Sequence, residues 1–326
     1  MRSYPPRLTS LPVAIRSLTA CAALATGFWT ALACSTATAG PLQQPSAAAE
    51  LVDLWEGPAP DETTRQPGTA LPQRPEEQPP VTRITGITQP QLAVYLAKQS
   101  AAPRRAVLIL PGGGFRRVVV DKEGSEIAAW LNGLGISAFV LRYRTADDSS
   151  KTPWLKPLQD AQRAMNLIRF RAAEWQIDPD QLGVAGFSAG GQAAARLLGD
   201  GGQLAYKGAA ADPIDRLSHH RPDFALLIYP WNLWNPDTEQ LLPELQISAR
   251  LPPVFLVHTH DDSASSLSSA MFYAALRKHR VPAELHVFAS GGHGYGLRQI
   301  PGSRISSWPE LAAHWLQGLP SAGEQK

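Results

Sequence analysis

Ser188 stands in Gly186-Phe187-Ser188-Ala189-Gly190, between the apolar run Gln181 to Ala185 and the small-residue stretch Gly191 to Leu198. A G-x-S-x-G pentapeptide between a strand and a helix is the pattern of a nucleophile elbow. The chemistry explains the spacing. The hydroxyl must stand clear of the backbone on a sharp turn, and the flanking glycines let strand and helix pass close together. The N–H groups that begin the following helix are also free to meet a developing negative charge. Alone, the same text describes a small-residue turn whose serine does nothing. A serine nucleophile further requires a base, an acid that orients it and a set of oxyanion donors.

Three other stretches can supply them. Pro111-Gly112-Gly113-Gly114-Phe115 follows an apolar strand and leaves backbone N–H groups open to close approach. It lacks the G-x-G-x-x-G of a dinucleotide site and the G-K-[ST] of a phosphate loop. Paired with Ser188, it predicts an oxyanion hole built from Gly113, Gly114 and Ala189. His258-Thr259-His260-Asp261-Asp262 reads either as metal ligands or as the source of the orienting acid, and the residues alone leave Asp261 and Asp262 open. No second histidine pair with ligand spacing accompanies it, so the expectation is no metal and no cofactor. Of the eight histidines, only His293 sits on a glycine-rich strand-end loop, Ser290 to Gly296. His279, His286 and His314 fall in regular elements, and His219 and His220 in a polar insertion. The order serine, aspartate, histidine is that of an α/β-hydrolase triad, unlike the orders of chymotrypsin and subtilisin.

The elements that must carry these residues alternate. Val81–Thr85 and Gln91–Leu96 alternate apolar and polar residues and read as leading antiparallel strands. The continuous apolar run at 106–110 reads as a strand covered on both faces, 136–141 as another buried strand, and 224–229, 254–258 and 285–288 as later strands. Between them, helical spacing covers 123–134, 157–175, 266–280 and 308–316. Strand and helix in alternation predict a mostly parallel sheet with helices on both faces, with sites beyond the carboxyl ends of its strands. The domain expected is 81–319, followed by a short tail, 320–326. Residues 40–80 hold nine prolines and are predicted to form neither helix nor sheet. The cluster Leu51 to Trp55 is expected to dock that segment on the domain.

Residues 1–39 carry Arg2, Arg7 and Arg16, no acidic residue, an apolar run from Leu18 to Ala33 and Ala37-Thr38-Ala39 before Gly40. That is the plan of a cleaved secretory leader. A lipid anchor at Cys34 is the alternative. Without the leader's three arginines, 27 basic residues face 28 acidic ones, a net charge of −1. Neither nucleic acid nor an anionic membrane is indicated as partner. Both cysteines, Cys21 and Cys34, lie in the leader, so a mature chain has no thiol for a disulfide, a zinc site or a cysteine nucleophile.

From about Leu54 to Leu316 the chain resembles bacterial esterases and lipases of the α/β-hydrolase fold related to acetyl xylan esterases. The resemblance is carried by LILPGGGF at 108–115, EIAAWLNGLGISAFVLRYR at 126–144, the text from Leu158 to Gly191, RPDFALLIYP at 221–230 and VPAELHVFASGGHGYGLR at 281–298. It implies Ser188 as nucleophile, His293 as base and Asp262 as acid. The chain departs from the family at Ser263-Ala264-Ser265-Ser266 and at Gln192, where a histidine is common. The implied substrate is a small ester or an acetylated glycan outside the cell. Trp231, Trp234 and Tyr295, with Tyr143 and Trp154, fall on strand-end loops and could stack on sugar rings. A general short-chain carboxylesterase, a serine peptidase and a non-catalytic glycan-binding relative are the competing expectations, and the oligomeric state is left open.

Overall fold

The computed structural model describes residues 48, 50–98, 104–207, 212–217 and 219–320. The expected leader, most of the stretch to residue 49 and the tail beyond residue 320 lie outside them. The chain begins with β1 (Glu50–Asp53), β2 (Thr69–Ala70), β3 (Arg83–Thr85), β4 (Gln91–Tyr95), β5 (Arg104–Leu110) and β6 (Val118–Val119). Then come α1 (Glu126–Gly133), β7 (Ser137–Arg142), α2 (Leu155–Phe170), β8 (Ile177–Phe187), α3 (Ala189–Leu198) and α4 (Pro213–Leu217). The last third holds β9 (Ala225–Ile228), β10 (Trp234–Asn235), β11 (Gln240–Leu241), β12 (Val254–Thr259), α5 (Leu267–Lys278), β13 (Ala283–Phe288) and α6 (Trp308–Gly318).

Eight strands form one sheet in the order β1-β4-β7-β5-β8-β9-β12-β13. From β7 to β13 every pairing is parallel, whereas β1 and β4 run antiparallel to their neighbours. Both faces of the central strands are covered, which is why their sequences are continuously apolar. The two-residue period divides each strand between two cores. Leu108, Leu110, Leu182 and Val184 pack with residues of α2, α3 and α5. Val107, Ile109, Ala185 and Phe187 pack with residues of α1 and α6. This arrangement is the expected α/β class, and it delivers the ends of β5, β8, β9, β12 and β13 to one edge. No helix among the described residues is long and apolar enough to cross a membrane.

Two expectations for the N-terminal part are corrected. The proline-rich segment contributes regular structure, since Glu50–Asp53 pairs with Gln91–Val94 as the edge strand β1. The reason is local. The segment's prolines nearest β1 are Pro45 and Pro58, so every N–H of 50–53 is available to the ladder. Asp53 then accepts hydrogen bonds from Gln89 (2.6 Å), Gln91 (2.8 Å) and Arg65 (2.8 Å). The second correction concerns Val81–Thr85, expected beside Gln91–Leu96. Its β3 instead joins β2 and β6 in a separate three-stranded sheet.

Candidate active site

At the end of β8 the chain turns through Ser188, whose φ of 53° and ψ of −120° lie where a non-glycine residue is strained. Such a conformation costs roughly 1–3 kcal/mol and persists only when its surroundings enforce it. Here the enforcement is visible on the C-terminal side. A Cβ on Gly190 would run into the carbonyl oxygens of Leu110 and Pro111, so only glycine lets α3 start this close to the end of β5. The Ser188 carbonyl accepts from the Trp231 N–H at 3.0 Å and from the Gln192 N–H at 3.1 Å.

Ser188 Oγ lies 2.7 Å from His293 Nε2, and His293 Nδ1 lies 2.7 Å from Asp262 Oδ2. With Nδ1–H donating to the carboxylate, Nε2 is left to accept from the serine hydroxyl; the partners set the tautomer. Asp262 is held from other sides too. Its Oδ1 accepts the Ala264 N–H at 2.7 Å, and Oδ2 lies 3.1 Å from His258 Nε2. Burial would raise the carboxyl, but the hydrogen bonds from His258, His293 and Ala264 outweigh it and bring its pKa down to about 2.

Asp261, the neighbour that the residues alone leave equally eligible, bonds backbone of the histidine loop and not the imidazole. Its carboxylate accepts the N–H groups of Gly292 (2.9 Å) and Gly291 (3.1 Å), and so anchors the base of the histidine loop. Those two bonds, Gly292 first, hold its carboxyl below the ordinary range. Nor do His258 and His260 form a common ligand pair. His258 is buried, with Nδ1 on Ser269 Oγ (2.8 Å) and Nε2 on the Ala264 carbonyl (2.7 Å), whereas His260 is exposed.

The glycine loop sits against the serine. A Cβ on Gly112 would lie 2.8 Å from Ser188 Cβ and 2.6 Å from a carboxylate oxygen of Glu123. Among the described residues, no acceptor takes the N–H of Gly113 or Gly114. The N–H of Ala189, at the first position of α3, has no acceptor within the helix.

Glu123 is absent from the sequence-derived site. It lies 4% exposed just before α1 and accepts from the Gly112 N–H (2.7 Å) and the Tyr229 hydroxyl (2.9 Å). The Tyr229 hydroxyl in turn accepts from the Gly296 N–H at 3.1 Å. Burial pushes the Glu123 carboxyl up, against the opposing hydrogen bonds from Tyr229 and Gly112. In the sequence, a glutamate at the start of helical spacing reads as a solvated residue at a helix N-terminus, and no local signal marks it as buried.

Of the aromatic residues expected on a substrate wall, Trp231 lines the cleft beside Gly113 and Gly114. Trp234 lies on the hairpin of β10 and β11 and is not among the residues lining that cleft. Tyr295 and Tyr143 are corrected. Tyr295 is 3% exposed, with its ring edge-on to Tyr229 at 4.4 Å, so it offers no face to a ligand. Tyr143 is fully buried and donates to the Pro111 carbonyl at 2.7 Å, which braces the glycine loop from beneath. Trp154 is covered by the Arg196 guanidinium, 4.0 Å from the ring centroid. Gln192 donates to the carbonyls of Trp231 (3.0 Å) and Asn232 (2.9 Å), fixing the loop that carries the cleft tryptophan.

The prolyl oligopeptidase family profile matches residues 157–318, and the BD-FAE profile matches residues 92–204. An acetylxylan esterase of Xylanibacter ruminicola is 25% identical over 261 residues, 72% of this chain and 49% of the relative. An endo-1,4-beta-xylanase B of Butyrivibrio fibrisolvens is 30% identical over 224 residues, 63% of this chain and 34% of the relative. The chain thus spans half or less of the length of these curated relatives. Among solved structures, an acetyl ester-xyloside bifunctional hydrolase from Caldicellulosiruptor lactoaceticus is 32% identical, with a TM-score of 0.64. That match covers 83% of this chain and 96% of the other. The chain belongs to the acetyl xylan esterase-like family of α/β-hydrolases.

Proposed function

We propose that this protein is an exported serine esterase that removes short acyl groups, acetyl foremost, from plant polysaccharides or their oligosaccharides. The observation that carries the reading is the line Ser188 Oγ, His293, Asp262, with 2.7 Å at each junction. The similarity to an acetylxylan esterase and to an acetyl ester-xyloside hydrolase supports the substrate class. In the proposed cycle, Ser188 Oγ attacks the ester carbonyl carbon while His293 Nε2 takes the hydroxyl proton. Asp262 holds the ring in the required tautomer and stabilises the imidazolium. The N–H groups of Gly113, Gly114 and Ala189 face the oxyanion, each such donor being worth roughly 3 kcal/mol in the transition state. His293 returns its proton to the leaving alcohol. A water, deprotonated by the same nitrogen, then attacks the acyl-serine carbonyl, and collapse of that intermediate releases the acid and restores Ser188.

Hydrolysis of p-nitrophenyl acetate, followed by acetate release from acetylated xylan, tests the reading. Ser188→Ala and His293→Ala are expected to lower kcat by at least about a thousandfold. Undiminished turnover in either variant would remove the assignment. The match to the prolyl oligopeptidase profile favours a second reading, a serine peptidase using the same residues. Cleavage of aminoacyl p-nitroanilides in preference to acetyl esters would select it. For export, the protein recovered outside the cytoplasm is expected to begin at Gly40.

A further inference from the structure

Along Gly113 and Gly114 of the glycine loop, a cleft of about 350 Å³ opens between residues 113–117, the turn at 147–153 and Trp231. Its volume is at the small end of the ~300–1,000 Å³ of small-molecule sites. Four charged residues line it: Arg116, Arg117, Asp147 and Asp148. Three of them have partners. Arg116 pairs with Asp148 at 3.0 Å, both well exposed. The Asp147 carboxylate closes its own turn by accepting from the Ser149 N–H (2.8 Å) and hydroxyl (2.6 Å).

Arg117 differs. It is half-buried, and its stem packs on the glycine loop, where a Cβ on Gly113 would lie 2.9 Å from Arg117 Cγ. Among the described residues, no carboxylate comes within ion-pair distance of its guanidinium and no acceptor takes its N–H groups. The charges that bear on it are Arg83, Arg74 and Arg116, and burial together with these like charges holds its pKa below the usual value. The nearby Glu77 serves Arg83 at 2.5 Å and Arg74 at 3.6 Å. Arg117 lines the cleft, and a partly desolvated guanidinium among like charges that lacks a carboxylate is a fork-shaped anion receptor one residue type short of complete.

We infer that Arg117 receives a carboxylate on the alcohol half of the substrate, so that the preferred ester is carried by an acidic sugar whose ring lies against Trp231. The inference rests on the esterase reading above. An acetyl group has no position for a charge, which leaves the alcohol half to bear it. No bond to Arg117 forms or breaks. It sets which sugar is presented to Ser188.

The test uses the mature enzyme, an acetylated uronic acid and its uronamide, which keeps the ring and removes the charge. The acid is expected to exceed the amide in kcat/KM by roughly tenfold at low salt, the size of a charge-assisted hydrogen bond. That preference should shrink as sodium chloride rises. Arg117→Gln is expected to bring the ratio to about one, and Arg117→Lys to keep part of it. If both sugars are deacetylated equally by the wild type at low salt, the anion subsite is wrong while the esterase reading stands. If neither sugar nor p-nitrophenyl acetate is hydrolysed, both fall together. A third substrate, the p-nitrophenyl monoester of succinic acid, guards the assignment of the charge. If that acid outruns the acetate and loses its advantage in Arg117→Gln, the carboxylate belongs to the acyl half and the inference is overturned.

Discussion

Asp262 concentrates the chemistry of this site at the scale of one residue. A carboxylate that accepts from two imidazoles and a backbone N–H is stabilised in its charged form, and a depressed pKa is the signature. Because the folded value lies below the unfolded value of ~3.9, the contribution to stability is complete above pH 4–5 and lost as pH falls towards 2. Wild type and Asp262→Asn are therefore expected to differ by roughly 2 kcal/mol more at pH 6 than at pH 2.5, read from urea denaturation midpoints. A gap that stays constant across that range would mean the carboxylate's charge adds nothing to folding. In turnover, Asp262→Asn is expected to lose on the order of 10⁴ in kcat, because an amide stabilises the wrong tautomer. Asp261→Asn, which loosens only the Gly291–Gly292 anchor, is expected to lose less than about tenfold. Equal losses would show that the two aspartates share the role. The pair also shows where sequence legibility stops. Glycines flanking Ser188 and His293 mark them in the text, since nothing else explains the missing bulk there. Two adjacent aspartates at a strand end carry the same text, and only the turn through Ser263 and Ala264 decides which one faces the imidazole.

Among the elements, the buried pair Glu123 and Tyr229 does what no catalytic-type residue does. It joins the glycine loop after β5, the loop after β9 and the histidine loop after β13 through three hydrogen bonds, at Gly112, Tyr229 and Gly296. The Tyr229 ring also stands edge-on to His293 at 5.0 Å. Shortening Glu123 would leave the Gly112 N–H and the Tyr229 hydroxyl without their acceptor, each a buried loss of roughly 1–3 kcal/mol. Glu123→Ala is expected to lower the denaturation midpoint and to reduce kcat per active site by about ten- to a hundredfold with little change in KM, since the oxyanion donors act mainly in the transition state. Glu123→Gln keeps the shape and one acceptor, and is expected to recover most of the stability at neutral pH, where burial penalises the ionised carboxyl. Titration of active serines separates the effects: a full serine count with unchanged kcat in Glu123→Ala would leave Glu123 with a packing role alone. This tie was not legible because it joins strand ends far apart in sequence. The strands themselves were legible, because their runs of apolar residues demand burial on both faces wherever the partners come from.

For the whole molecule, the N-terminal segment is part of the sheet and not a covering laid over it. β1 occupies the edge that β4 would otherwise expose, and Leu54, 1% exposed, enters the core between the sheet and α2. Arg163 Nε donates to the Leu54 carbonyl at 3.0 Å and its guanidinium covers the Trp55 ring. Further along, the fully buried Arg144–Asp160 pair reaches the segment through the Pro60 carbonyl and Glu62. The prolines between 58 and 80 hide this in the sequence, because their density argues against regular structure and outweighs four ordinary residues before them. Leu54→Ala is expected to cost roughly 2–5 kcal/mol, the usual range for a fully buried leucine. A chain beginning at Val81 is expected to fare worse than that substitution. It leaves the apolar strand β4 as an unpaired edge and strips Arg144 of two of its partners while Asp160 remains buried, and open edges of this kind recruit other chains. Size-exclusion chromatography and thermal denaturation of chains beginning at Gly40 and at Val81 decide the matter. The longer chain is expected to give a single sharp transition, and the shorter one a midpoint lower by ten degrees or more, or soluble aggregates. Coincident transitions and elution volumes would show that the catalytic domain is complete from Val81 and that β1 contributes no more than a cover.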